Sequence, residues 1–67
     1  MEYFNLKTEM LRKNISIKTM ARKMNKSVSK VSKNINGLSG DFKIEEAFFI
    51  RDTFFPECKI EYLFRRE

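Results

Sequence analysis

Hydrophobic residues recur along most of this chain at the three- and four-residue spacing of helices. Tyr3, Leu6 and Met10 form one such stripe, widened by Leu11, and predict a first helix from about Tyr3 or Asn5 to Lys13. Asn14 suits a left-handed stop, because Asn tolerates positive φ better than most residues. Ile15 then turns inward. A second helix starts at Ser16, whose hydroxyl caps the first free amides, and buries Ile17, Met20, Ala21 and Met24. Ala21 is small at the place where another helix would cross closely. Asn25 and Lys26 form a turn, and Ser27 caps a third helix running from Val28 to about Asn36. Val31 and Ile35 point one way on that helix; Val28, Ser29, Ser32, Lys33 and Asn36 point the other. Gly37 closes it.

The second half is less regular. Leu38 to Asp41 reads as a loop marked by Gly40. Asp41 is placed to cap a fourth helix whose first turn also carries Glu45 and Glu46, both favourable to the helix dipole. Ile44, Ala47, Phe48, Ile50 and Phe54 supply its apolar side, and Pro56 stops it. A short last helix spans Lys59 to Phe64, anchored by Ile60, Leu63 and Phe64. No internal repeat or linker is evident. The fold class expected is all-α, in one domain over residues 1–67.

Size narrows the picture further. A domain of 67 residues buries only about 60% of the surface its unfolded chain exposes, so the core must be efficient. Cys58 is the only cysteine, which rules out an internal disulfide and suits a reducing cytosol. Lys and Arg interrupt every apolar run before it reaches membrane-spanning length. A cytoplasmic protein is expected.

Charge changes the picture most. The net charge is +5. Residues 1–40 carry a net of +7 and residues 41–67 a net of −2, and no Asp or Glu occurs between Met10 and Gly40. Lys18, Arg22, Lys23, Lys26, Lys30 and Lys33 all fall on the second and third helices or the turn between them. Positive charge concentrated in this way marks a face for a polyanion, most readily duplex DNA. A merely solvated basic surface is the plain alternative. RNA fits less well, since Tyr3 and Phe4 are the only aromatics in the basic half and offer no stacking platform.

An enzyme is not expected. The chain has no histidine, no metal-ligand spacing and no glycine-rich phosphate loop. Glu45 and Glu46 are adjacent and so face different sides of a helix. No cofactor, metal or small-molecule substrate is implied.

The residues Ile15, Ser16, Met20, Ala21, Met24, Ser27, Val31, Ser32, Asn36 and Gly37, in that spacing, resemble the Cro/cI-like (lambda-repressor-like) helix-turn-helix regulators of phages and bacteria. The resemblance covers about residues 5–64, and Ile50 to Phe64, with its Tyr-Leu-Phe ending, looks like the fourth and fifth helices of that family. It implies a compact five-helix DNA-binding domain whose third helix enters the major groove of a palindromic operator. The base-contacting residues it implies are Val28, Ser29, Ser32 and Lys33. The phosphate-contacting residues are Ser16, Lys18, Lys26, Ser27, Lys30, Asn36 and Lys43, which fix register without reading sequence.

Three positions depart from the family pattern. Ile17 stands where a polar residue, often Gln, usually braces the third helix against a phosphate. Lys26 occupies a turn site that is usually apolar. Val28 replaces a polar base reader; its methyls either meet a thymine methyl or pack locally.

Members of this family usually act as pairs, so a homodimer is expected, and because a patch of a few side chains falls well below a standard interface it is expected to form mainly on DNA. The surplus of aromatic residues points to a dimer patch at Phe55, Pro56 and Phe64. The opposing reading places all seven phenylalanines in the core. A protein-binding helix-turn-helix module, such as an antitoxin or antirepressor, is the alternative function.

Overall fold

Two nearly identical three-residue connections shape the first half of the protein. The computed structural model describes residues 2–38 and 40–66, so Ser39, inside the expected Leu38–Asp41 loop, lies outside the described residues. Helix α1 is Phe4–Lys13, α2 is Ile17–Met24 and α3 is Val28–Ile35. Between them run Asn14-Ile15-Ser16 and Asn25-Lys26-Ser27. Each Asn is left-handed, with φ of 59° and 60°. The residue after each Asn donates its N–H back into the finished helix: Ile15 to the Met10 carbonyl at 2.8 Å, Lys26 to the Ala21 carbonyl at 2.9 Å. These bonds satisfy carbonyls that a helix end otherwise leaves bare. Each Ser then caps the next helix, the Ser16 hydroxyl accepting from the Thr19 amide at 3.0 Å and the Ser27 hydroxyl from the Lys30 amide at 3.1 Å. Gly37 closes α3 in the same left-handed manner, at φ 71°, and Leu38 donates to the Lys33 carbonyl at 2.9 Å.

The fourth helix, α4, is Ile44–Phe54, and α5 is the single turn Ile60–Leu63. Asp41 does not cap α4. Lys43 holds the cap position, and its amide donates to Glu46 Oε1 at 2.8 Å. Asp41 pairs instead with Arg66, at 2.6 Å.

Among the described residues every regular element is helical, and the five helices form a compact globule of 26 × 24 × 22 Å. Its core joins Leu6 and Met10 of α1, Met20 and Ala21 of α2, Val31 and Ile35 of α3, Ile50 of α4, Phe55 and Leu63. Burial of such side chains contributes about 1.5–3 kcal/mol each. Tyr3, Phe42 and Phe64 close one side as three mutually tilted rings, with centroids 5.5–5.8 Å apart. The first residues are tied to the last helix. Asn5 Nδ2 donates to the Tyr62 carbonyl at 2.8 Å, and the Tyr62 hydroxyl donates to Glu9 Oε2 at the same distance.

Several expectations about burial fail. Leu11 is 84% exposed and adds nothing to the α1 stripe, while the carboxylate at position 9 is buried in its place. Ile44, expected on the apolar side of α4, is 71% exposed. Phe48 and Phe49 also show much of their rings, because the inward stripe of α4 is Ala47, Ile50 and Phe54. Asn34 is buried on the inner side of α3, and among the described residues its Oδ1 has no hydrogen-bond partner.

The Glu9–Tyr62 bond makes stability pH-dependent at the alkaline end. The Tyr62 hydroxyl is held above its ordinary pKa, chiefly because it donates to the Glu9 carboxylate. Stability from this bond is therefore complete below about pH 10 and lost as pH rises through the higher folded-state pKa. Denaturant midpoints measured between pH 9 and 12 should fall more steeply for the wild type than for Tyr62→Phe. Parallel curves would show that the bond contributes nothing.

Candidate nucleic-acid interface

The α2–α3 pair places its own basic residues on its outer sides. On α3, Val31, Asn34 and Ile35 are buried, so helical spacing turns Ser29 and Lys33 directly away from the core, flanked by Ser32 and Lys30. Ser29, Lys30 and Lys33 are exposed, Ser32 is half-buried, and Val28, at the first turn, is 49% exposed. The four expected base-contacting residues therefore share one accessible side of α3. Ala21, nearly inaccessible on α2, faces the same core as Val31 and Ile35. Its small side chain suits close approach of the two helices.

Ion pairing separates the basic residues into two groups. Arg12 lies 3.6 Å from Glu9. Lys13 reaches Glu57 at 2.7 Å and the Phe54 carbonyl at 2.9 Å, which fastens α1 to the end of α4. Lys26 lies 3.6 Å from Glu46. Among the described residues eight exposed cations make no salt bridge: Lys43, Lys59 and Arg65, and the five on α2 and α3, Lys18, Arg22, Lys23, Lys30 and Lys33. Five ammonium or guanidinium groups with no internal counter-charge are what a polyanion would neutralise.

The expected phosphate-contacting residues divide in the same way. Lys18, Lys30 and Lys43 are exposed, and Ser27 uses its hydroxyl oxygen as a cap while keeping its proton for another acceptor. Ser16 is more committed, since its hydroxyl accepts from the Thr19 amide and donates to Thr19 Oγ1 at 3.0 Å. The Asn36 amide turns back onto α3, donating to the Ser32 carbonyl at 2.9 Å. Lys26 is engaged by Glu46. Sequence reasoning missed that partner, although Glu46 sits three residues after a cap position, the spacing of a residue that reaches back to the helix start.

Of the expected dimer patch, Phe55 is 0% exposed and so offers no surface, Phe64 is partly buried in the ring cluster with Tyr3 and Phe42, and Pro56 is exposed. Phe55 is part of the core itself, and Phe64 packs against it. The exposed large apolar side chains lie elsewhere, at Ile44, Phe48 and Phe49 on α4 and at Phe4, Leu11, Val28, Leu38 and Tyr62.

A second polar grouping joins α1 to the connection between α4 and α5. The side-chain donor atoms of Glu9, Glu57 and Cys58 fall within 4.8 Å of one another. Arg12 and Lys13 already balance the two carboxylates, and burial beside them pushes the Cys58 thiol up. A neutral thiol between two neutralised carboxylates serves as packing between α1 and the α4–α5 connection. Among the described residues no helix is long and apolar enough to cross a membrane. No protein-family model, curated protein or solved structure matches the chain.

Proposed function

We propose that this protein is a sequence-specific duplex-DNA-binding regulator of the Cro/cI-like (lambda-repressor-like) helix-turn-helix kind, with α3 as the helix that enters the major groove. The observation that carries this reading is the set of five exposed cations on α2 and α3 that lack an internal counter-charge, beside an accessible polar side of α3. Ser29, Ser32 and Lys33 read base edges, Lys33 by donating to guanine O6 and N7, and the Val28 methyls meet a thymine methyl. Lys18, Arg22, Lys23, Lys30 and the Ser27 hydroxyl hold phosphates and set the register. One such reader covers only about 600–1,000 Å² on DNA, so two copies act together on a near-palindrome with half-sites ~34 Å apart.

Binding to a labelled duplex, measured over a range of salt, tests the electrostatic part. Four neutralised phosphates give log K against log salt a slope of about −3 to −4 per monomer. A slope near zero overturns the reading. Selection from a random duplex pool then returns the preferred site, and a footprint of one molecule on one asymmetric half-site overturns the pairing.

The exposed Ile44, Phe48 and Phe49 side chains favour one second reading, a module that docks on another protein through α4. Under that reading duplex affinity stays weak for every sequence in the pool.

A further inference from the structure

Glu46 divides its carboxylate between two elements. Oε1 accepts the Lys43 amide that begins α4, at 2.8 Å, and Oε2 faces the Lys26 ammonium at 3.6 Å. The Glu46 side chain is 14% exposed and that of Lys26 39%, so a nearly enclosed carboxylate holds a lysine at the surface. Lys26 belongs to the connection between α2 and α3, immediately before the Ser27 cap. The matching position in the other connection is Ile15, which packs against the core. The chain thus carries a charge where its own repeated geometry also accepts an apolar residue, and a separate helix supplies the counter-charge.

Resting on the DNA-binding reading, we propose that Glu46 is a positioning residue that withholds Lys26 from DNA phosphates. A lysine free in this turn would add affinity for every duplex alike. With Glu46 beside it, moving Lys26 to a phosphate strands an enclosed carboxylate close to the DNA, and the two anionic partners compete for one ammonium. Sequence-independent affinity is held down, and a larger share of binding depends on the side chains of α3. Specificity is a difference between two affinities, so weakening the non-specific one raises it.

The test uses the full chain as wild type, Glu46→Gln, Lys26→Ala and the double variant, each titrated onto a duplex of arbitrary sequence over a range of salt. Gln keeps an oxygen for the Lys43 amide, and circular dichroism melts check that α4 remains intact. Glu46→Gln should steepen the log–log salt slope by about 0.9 and tighten binding roughly 5–10-fold near 0.1 M salt. Lys26→Ala alone should leave the slope unchanged, and the double variant should match the wild type. An unchanged slope in Glu46→Gln, or a slope about 0.9 shallower in Lys26→Ala alone, overturns the proposal.

A second arm needs no DNA. Acylation by N-hydroxysuccinimidyl acetate, followed by peptide mass spectrometry, should modify Lys26 more slowly than Lys30 in the wild type and at a similar rate in Glu46→Gln. Equal Lys26 rates in the two proteins overturn the pairing. A wild type that binds no duplex, yet protects Lys26 in this way, defeats only the DNA-binding reading.

Discussion

Phe55→Ala is expected to remove about 3–5 kcal/mol of folding stability. The ring is wholly buried beside Phe54, and the Lys13 ammonium sits 5.4 Å from its centroid. At roughly 0.05–0.15 kcal/mol per residue, a domain of this length holds only about 3–10 kcal/mol in total. The variant should therefore lose roughly a third or more of its stability, and its urea midpoint followed by far-ultraviolet circular dichroism should fall well below that of the wild type. A variant that melts like the wild type but fails to self-associate would return Phe55 to a dimer surface and take it out of the core.

Lys33→Ala and Lys30→Ala are expected to separate reading from holding. Lys33 stands on the side of α3 turned away from the core, and its alanine variant should lose about 1–3 kcal/mol on the preferred site, relaxing one base position while non-specific affinity changes much less. Lys30 follows the Ser27 cap, at the end of α3 nearest the turn, and its removal should weaken all sequences by a similar factor and flatten the salt slope by about 0.9. Affinities for the selected site and for a scrambled duplex, taken at one salt concentration, make the comparison. Equal losses on both duplexes in Lys33→Ala would remove Lys33 from the base-reading set.

The elements most legible in the sequence are those decided within a few residues. Asn14, Asn25 and Gly37 announce left-handed stops, and Ser16 and Ser27 announce caps, because each acts on backbone groups no more than five positions away. The side of α3 opposite Val31 and Ile35 is legible for the same reason. Partners far apart in sequence were not. Glu9 is buried because Tyr62 meets it from 53 positions away, and nothing local to Glu9 signals this. Phe42 sits in a connection, and in the core its ring packs against those of Tyr3 and Phe64. On α4, Ile44, Phe48 and Phe49 are as apolar as the residues that do face inward, so spacing alone does not choose the buried side. Lys26 was the informative departure: an unusual charge in a turn proved to have its counter-charge on a helix that local reading had already explained by its dipole.

The clasp between α1 and α5 has a consequence during protein synthesis. The α2–α3 pair is complete in sequence by Gly37, yet its core is not. Leu63 fills part of that core, and the Tyr62 hydroxyl and carbonyl, together with the Phe64 ring, secure Tyr3, Asn5 and Glu9. A nascent chain lengthening at ~5–20 residues per second therefore carries its basic helices for seconds before the residues that lock them have left the ribosome. Over that interval the cationic segment is held by its local turns and by the part of the core that α1 supplies, beside the ribosome's own RNA. On the DNA-binding reading, the ability to select one polyanion over another arises late, when the last turn of helix docks.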